Sequence, residues 1–224
     1  MSNQKVRTIG SVVALVIVVG AIGYYAWTQS VQPGDEPSSG FKVMTNLSEE
    51  QVSKYRQEYN EVMDALAQKP DDFDSLLRLG MIKKYIGDYR GAEQVWVKVG
   101  ELQPKNSTSF GNLADLYANF LKEYDKAEIA YQVAIKNSTG EPLNMLYYRN
   151  YYDFARLYLK DGEKAEQIVL KAVADNPKSQ DVYVLAGQLY RDNGDKAKAL
   201  QYFQKALALD PTDELLKQEI ERLK

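Results

Sequence analysis

Residues 177–211 read PKSQDVYVLAGQLYRDNGDKAKALQYFQKALALDP, and this stretch decides the fold. Pro177 and Pro211 stand thirty-four residues apart, with Ala199, Phe203 and Ala206 spaced between them along one helical face. Pro70 and Pro104 repeat the interval around Ala92, Trp96 and Val99. A third frame gives Ala165, Val169, Ala172 and Pro177. Self-similarity at such a period marks stacked helical hairpins, in which each unit buries its apolar face only against its neighbours.

The segment from about Phe73 to Pro211 resembles the tetratricopeptide repeat family. Its unit is a Trp-x2-Leu-Gly-x2-Tyr helix, a Gly-Asp turn, then Ala-x3-Phe-x2-Ala and Pro. The first unit supplies Leu76, Leu79, Gly80, the turn Gly87-Asp88-Tyr89, then Ala92, Trp96, Val99 and Pro104. Lys83 takes its tyrosine position, which predicts a less well packed first helix. The second unit has Phe110, Leu113, Ala114 and Tyr117, one extra turn residue, then Ala127, Tyr131 and Ala134. The third reads Phe154, Ala155 and Tyr158, a turn shortened by two around Asp161-Gly162, then Ala165, Val169 and Ala172. The fourth has Tyr183, Ala186, Gly187, Tyr190 and Gly194-Asp195 before Ala199.

Steric reasons stand behind these types. Gly80, Ala114, Ala155 and Gly187 are predicted where two helices of a hairpin approach closely, so that a larger side chain would force them apart. Gly87 and Gly194 suit a left-handed helix stop, and the Asp after each suits an N-cap. The fold class expected is all-α: a helical-hairpin solenoid of about four repeats over 70–211, preceded by one N-terminal transmembrane helix. An extended opening helix is predicted over 48–69, starting at a capping box of Ser48 and Gln51. A capping helix over 212–224 carries Leu216, Ile220 and Leu223 on one stripe.

Upstream of the repeats, residues 9–27 hold no charged side chain, a length of about 28 Å as a helix and close to a bilayer core. Tyr24, Tyr25 and Trp27 suit the headgroup interface. Lys5 and Arg7 precede the span, whereas Asp35 and Glu36 follow it, which predicts residues 1–8 on the cytoplasmic side. The repeats would then be extracytoplasmic, and periplasmic in a bacterium with two membranes. Residues 28–47 read as a flexible linker of Gln, Ser, Gly, Pro and acidic residues.

Composition narrows the chemistry. The 224 residues include no histidine and no cysteine, which removes His-dependent triads, thiolate metal sites and disulfides. A net charge of -3 argues against a phosphate-binding surface, so no nucleic-acid partner is expected. No phosphate-cradling glycine loop and no metal-ligand spacing is present, so neither a cofactor nor catalysis is expected. Asp115 and Asp153 with Arg156 are the residues an enzymatic reading would have to use.

The resemblance implies that the first helix of each hairpin lines a concave groove for a protein or peptide partner. The matching outward positions are Leu77, Met81, Lys84, Tyr85, Asp115, Asn119, Arg149, Tyr152, Arg156, Gln188 and Arg191. Within Tyr147-Tyr148-Arg149-Asn150-Tyr151-Tyr152, the core stripe is read as Tyr151, Phe154 and Tyr158, with Arg149, Tyr152 and Arg156 on another face. Some family members grip a C-terminal carboxylate with a Lys-Asn pair in the first repeat. Leu77 and Met81 stand there instead, leaving only Asn112 and Arg149 to match, so that mode is not expected. The resulting expectation is a membrane-anchored, non-catalytic scaffold for assembly or secretion of envelope proteins. A cytosol-facing receptor resembling organelle import receptors, and a self-associating homo-oligomeric scaffold, are the alternatives.

Overall fold

Asp72, Asp88, Asp161, Asp195 and Asp213 each accept a hydrogen bond from the backbone N–H three residues on, and each opens a helix. These short acidic side chains satisfy a donor that the helix cannot, and their recurrence sets its rhythm. The structure is a computed structural model describing residues 40–224, so the expected span 9–27 lies outside the described residues, as does most of the linker. Ten α-helices are present among the described residues. Helix α1 (Glu49–Gln68) leads in; hairpins follow as α2 (Phe73–Tyr85) with α3 (Tyr89–Leu102), and α4 (Thr108–Asp115) with α5 (Tyr124–Asn137). Next come α6 (Leu143–Phe154) with α7 (Gly162–Asp175), α8 (Gln180–Asp192) with α9 (Lys196–Leu209), and the closing α10 (Glu214–Leu223). Each helix packs on its chain neighbours, and no strand occurs among the described residues.

Close approach within the hairpins is real where glycine was expected to permit it. A Cβ added to Gly80 would sit 2.2 Å from Nε1 of the fully buried Trp96, and one on Gly187 would sit 2.5 Å from the Phe203 ring. The turns divide into two kinds. In repeats one and four the N–H groups of Asp88 and Asp195 donate to the carbonyls of Lys83 and Tyr190, both at 2.8 Å, with Gly87 and Gly194 at positive φ. In repeats two and three the first helix widens into a π-helical stretch, Leu116–Leu121 and Ala155–Leu159. Glu123 and Asp161 there donate across one more residue, to Tyr117 and Ala155 at 3.0 Å.

This wider turn corrects the reading of the third repeat. Since Asp161 bonds to Ala155 as Glu123 bonds to Tyr117, Ala155 holds the tyrosine position and Tyr152 the small-residue position. The turn is therefore long by one residue, as in repeat two, not short by two. Burial agrees: Tyr148, Tyr151, Tyr152, Phe154 and Ala155 are buried, whereas Leu157 is 54% exposed.

Lys83 also departs from expectation. Its side chain is buried and its ammonium pairs with Asp88 Oδ2 at 2.7 Å, so the first helix is closed by an ion pair where a tyrosine was missing. A second polar pattern links successive repeats. An Ala-Glu pair on each of α3, α5 and α7 places Glu93, Glu128 and Glu166 to accept from Tyr117 (2.8 Å), Tyr151 (2.9 Å) and Tyr190 (2.6 Å) of the next repeat. With Ala155 at the tyrosine position of repeat three, Tyr151 makes this bond from one turn earlier.

At the N-terminal end Ser48 and Gln51 form the reciprocal capping box of α1. Just before it, Met44 N–H donates to the Ile86 carbonyl at 2.6 Å, so the last residues of the stretch read as linker are held against the first hairpin turn. No helix among the described residues is long and apolar enough to cross a membrane.

Candidate functional site

Apolar side chains on the outward face of α2 recur at the helical repeat: Leu77, Met81 and Tyr85. They have no second helix of their own hairpin to cover them, because α3 packs on the opposite stripe of Leu76, Leu79 and Gly80. Together with Ile82 they line a cavity of about 370 Å3. Its other walls are Glu58 of α1, Arg78 of α2, and Thr108 and Asn112 of α4. Tyr85 is 45% exposed at the mouth and stacks on Tyr55 of α1, ring centroids 5.4 Å apart.

Three of the eleven sequence-predicted site residues thus share one cavity. Three more form a polar row beside it. Lys84 Nζ pairs with Asp115 Oδ2, Asn119 Nδ2 donates to Asp115 Oδ1 at 2.6 Å, and Tyr158 donates its hydroxyl to Asn119 Oδ1 at 2.5 Å. The row crosses the first helices of repeats one to three and consumes the charge of Lys84 internally; the same ammonium lies 5.1 Å from the Phe120 ring centroid.

The remaining five lie farther along the chain. Tyr152 is buried, not outward: with the third repeat in its observed register it fills a core position. Burial pushes its hydroxyl pKa up, partly offset by the charge of Arg156, whose guanidinium lies 5.7 Å from the ring centroid. Arg156 is exposed and sits 3.8 Å from Asp153. Arg149 and Gln188 are half-buried. Arg191 is held by Glu219 at 2.8 Å and Asp192 at 2.9 Å, and their hydrogen bonds raise its pKa. The cations expected to meet a ligand at Lys84 and Arg191 therefore already have carboxylate partners.

Glu58, Arg78, Thr108 and Asn112 were missed as site residues. Glu58 belongs to α1, before the first full repeat, where only Ala65 and Pro70 keep the repeat frame, so periodicity gave no reason to place Glu58 at the site. Asp115 is bound to Lys84 and Asn119, and Asp153 lies 3.8 Å from Arg156. Among the described residues no group of three acidic side chains is placed to hold a metal ion.

Residues 180–213, the last full hairpin, match the tetratricopeptide repeat family. A 115-residue stretch is 33% identical to Protein CTR9 homolog of Arabidopsis thaliana, covering 49% of this chain and 10% of that protein. The chain thus spans about a tenth of the length of that relative. Among solved structures, MamA superposes with a TM-score of 0.53 at 19% identity, covering 80% of this chain and 99% of that one. PilW, described as a type IV pilus biogenesis factor, gives 0.52 at 16% identity, covering 78% and 80%. These likenesses establish a tetratricopeptide-type all-helical fold.

Proposed function

We propose, from that fold, that the chain is a non-catalytic scaffold that docks a protein segment against the outward faces of its first helices. The observation that carries this is the cavity of Leu77, Met81, Ile82 and Tyr85, an apolar recess left open between α1, α2 and α4. Tyr85 is exposed, Leu77 and Met81 are half-buried and Ile82 forms the buried base, and an apolar recess on a rigid helical frame is a usual mark of a recognition surface. Photoreactive substitution at Tyr85 in the full chain tests it. Crosslinking to a protein partner is expected at Tyr85 and not at Gln132, an exposed position on a second helix; equal labelling at both would reject it.

The scaffold is anchored by residues 9–27, with its N-terminus cytoplasmic and the repeats outside the cytoplasm, and it serves assembly or secretion of envelope proteins. The uncharged run, its aromatic end and the charge bias of its flanks support the anchor. The envelope role draws on the fold shared with PilW, a pilus biogenesis factor. Protease added to the cytosolic side of membrane vesicles should spare the repeats; their digestion would favour the alternative of a cytosol-facing receptor. A self-associating scaffold would show a mass in detergent above that of one chain.

A further inference from the structure

We propose that α1 is a hinged wall of the first-repeat recess, latched at its N-terminal end by residues 43–47 on the Gly87 turn, and that release of the latch uncovers the recess. Its use as a gate rests on the docking reading above; the movement itself stands on separate observations.

The wall is weakly held along its length. Of the twenty residues of α1 only Val62 is buried. By contrast α3 buries eight of fourteen, and even the closing α10 buries two of ten. Thirty-four residues before the Ala92-Glu93 pair of α3 stand Glu58 and Tyr59. Glu58 thus replaces the small residue that lets a second helix come close, and Tyr59 replaces the glutamate that accepts from the next repeat. On α2, Lys83 holds the tyrosine position and pairs with Asp88. The Tyr-to-Glu bond that joins the later repeats therefore lacks both its donor and its acceptor type at the α1–α2 boundary. Crossing that boundary are the Tyr55–Tyr85 stack and an exposed Arg78–Glu61 pair 3.8 Å apart, which adds little.

The two ends of α1 are held differently. At the C-terminal end residues 69–72 join it directly to α2, with the Asp72 N–H donating to the Lys69 carbonyl at 3.0 Å, so that end stays in place and serves as the hinge. At the N-terminal end the Met44 N–H donates to the Ile86 carbonyl at 2.6 Å, just before Ser48 caps the helix. This seat depends on glycine. A Cβ on Gly87 would lie 2.9 Å from the Met44 carbonyl carbon and 3.1 Å from the Thr45 Cβ, whereas one on Gly194, in the matching turn of repeat four, meets nothing within 4 Å. Two turns of one geometry thus differ in that the first carries a length of chain across it. Ile86, whose carbonyl holds the latch, directly follows Tyr85 at the mouth of the recess. Swinging α1 about residues 69–72 takes Glu58 out of the wall and Tyr55 off Tyr85, which opens the recess of Leu77, Met81 and Ile82.

The chain has no cysteine, so a single introduced thiol reports opening. The test labels Ile82→Cys, at the buried base of the recess, and Leu185→Cys, buried in α8, with a maleimide in the purified full chain in detergent. Met44→Pro removes the N–H that bonds to Ile86 and leaves the Gly87 turn intact. It should speed labelling of Ile82→Cys about tenfold or more and leave that of Leu185→Cys within about twofold. Gly87→Ala should act like Met44→Pro, and Gly194→Ala should not; the Met44→Pro result decides even if Gly87→Ala fails to fold. Amide hydrogen exchange over residues 43–68 should rise with the labelling rate while α8 and α9 stay protected. Labelling that rises at both positions together, or an Ile82→Cys rate that Met44→Pro does not change, would overturn the proposal. Photo-crosslinking from Tyr85 should increase in Met44→Pro, and an unchanged yield from an opened recess would overturn the gate. An opened recess with no crosslinking from Tyr85 in any variant would remove the docking reading while the hinged wall stands.

Discussion

Tyr117 donates its hydroxyl proton to Oε1 of Glu93, 2.8 Å away, across the boundary between the first and second repeats. The glutamate is buried, with Arg90 Nη1 at 2.6 Å and Lys126 Nζ at 3.2 Å as its other partners. Stacking of hairpins is therefore not apolar contact alone. The same Tyr-to-Glu bond recurs at Tyr151–Glu128 and Tyr190–Glu166, so every interface between full repeats carries one.

Tyr117→Phe should therefore cost about 1.5–3 kcal/mol, the range for a hydrogen bond to a charged group. Urea denaturation measures it, and Tyr190→Phe should fall in the same range. A loss below about 0.5 kcal/mol at both sites would mean that the bonds contribute little to stacking.

The two wide turns place lysines, not glycines, in the left-handed region, Lys122 at φ 58° and Lys160 at φ 54°. A side chain there is strained by about 1–2 kcal/mol. Lys160→Gly should raise stability by about 1 kcal/mol. Lys122→Gly should gain less, because the Lys122 ammonium lies 5.0 Å from the Tyr158 ring centroid and that contact would be lost.

Glycines should separate by mechanism. Gly80→Ala drives a methyl into Trp96 and should cost about 1–3 kcal/mol through overpacking. Gly194→Ala meets open space at φ +81° and should cost about 1–2 kcal/mol through the backbone alone. A crystal structure of Gly80→Ala should show Trp96 displaced, whereas the Gly194→Ala core should be unchanged.

Acid should destabilise the chain through Glu123 and Asp175. Burial alone would raise the Glu123 pKa, but hydrogen bonds from Arg90 and Lys126 outweigh it and leave it lowered. Asp175 behaves likewise, with Lys171 and Tyr148 as donors. A carboxylate with a lowered folded pKa contributes stability that is full above its unfolded pKa and lost as pH falls through the folded one. Stability should accordingly be level from neutrality to about pH 5 and decline below about 4.5. Arg90→Ala should flatten part of that decline, which denaturant midpoints against pH would reveal.

Residues whose type is forced by close packing were legible in the sequence. Gly80 opposite Trp96 and Gly187 opposite Phe203 leave no room for a side chain without a shift of the ring, whereas Gly87 and Gly194 were legible for a different reason, the positive φ that each turn requires. The third repeat misled because Phe154, Ala155 and Tyr158 imitate the marker spacing, while the π-helical widening that shifts the register has no residue signature. Tyr152 was placed outward for that reason. Lys83 was misjudged because apolar patterning cannot see that the adjoining turn delivers Asp88 to its ammonium. Of the candidate site, the stripe of Leu77, Met81 and Tyr85 was readable from α2, but its wall at Glu58 comes from the helix before the first full repeat, which keeps the repeat frame only at Ala65 and Pro70.

The most direct measurement is photo-crosslinking in intact cells from Tyr85 of the full-length chain, repeated in a Met81→Glu background and compared with Gln132. Docking in the first-repeat cavity predicts a protein adduct from Tyr85 that Met81→Glu abolishes and Gln132 does not form. An adduct that survives Met81→Glu, or that arises equally from Gln132, would contradict it.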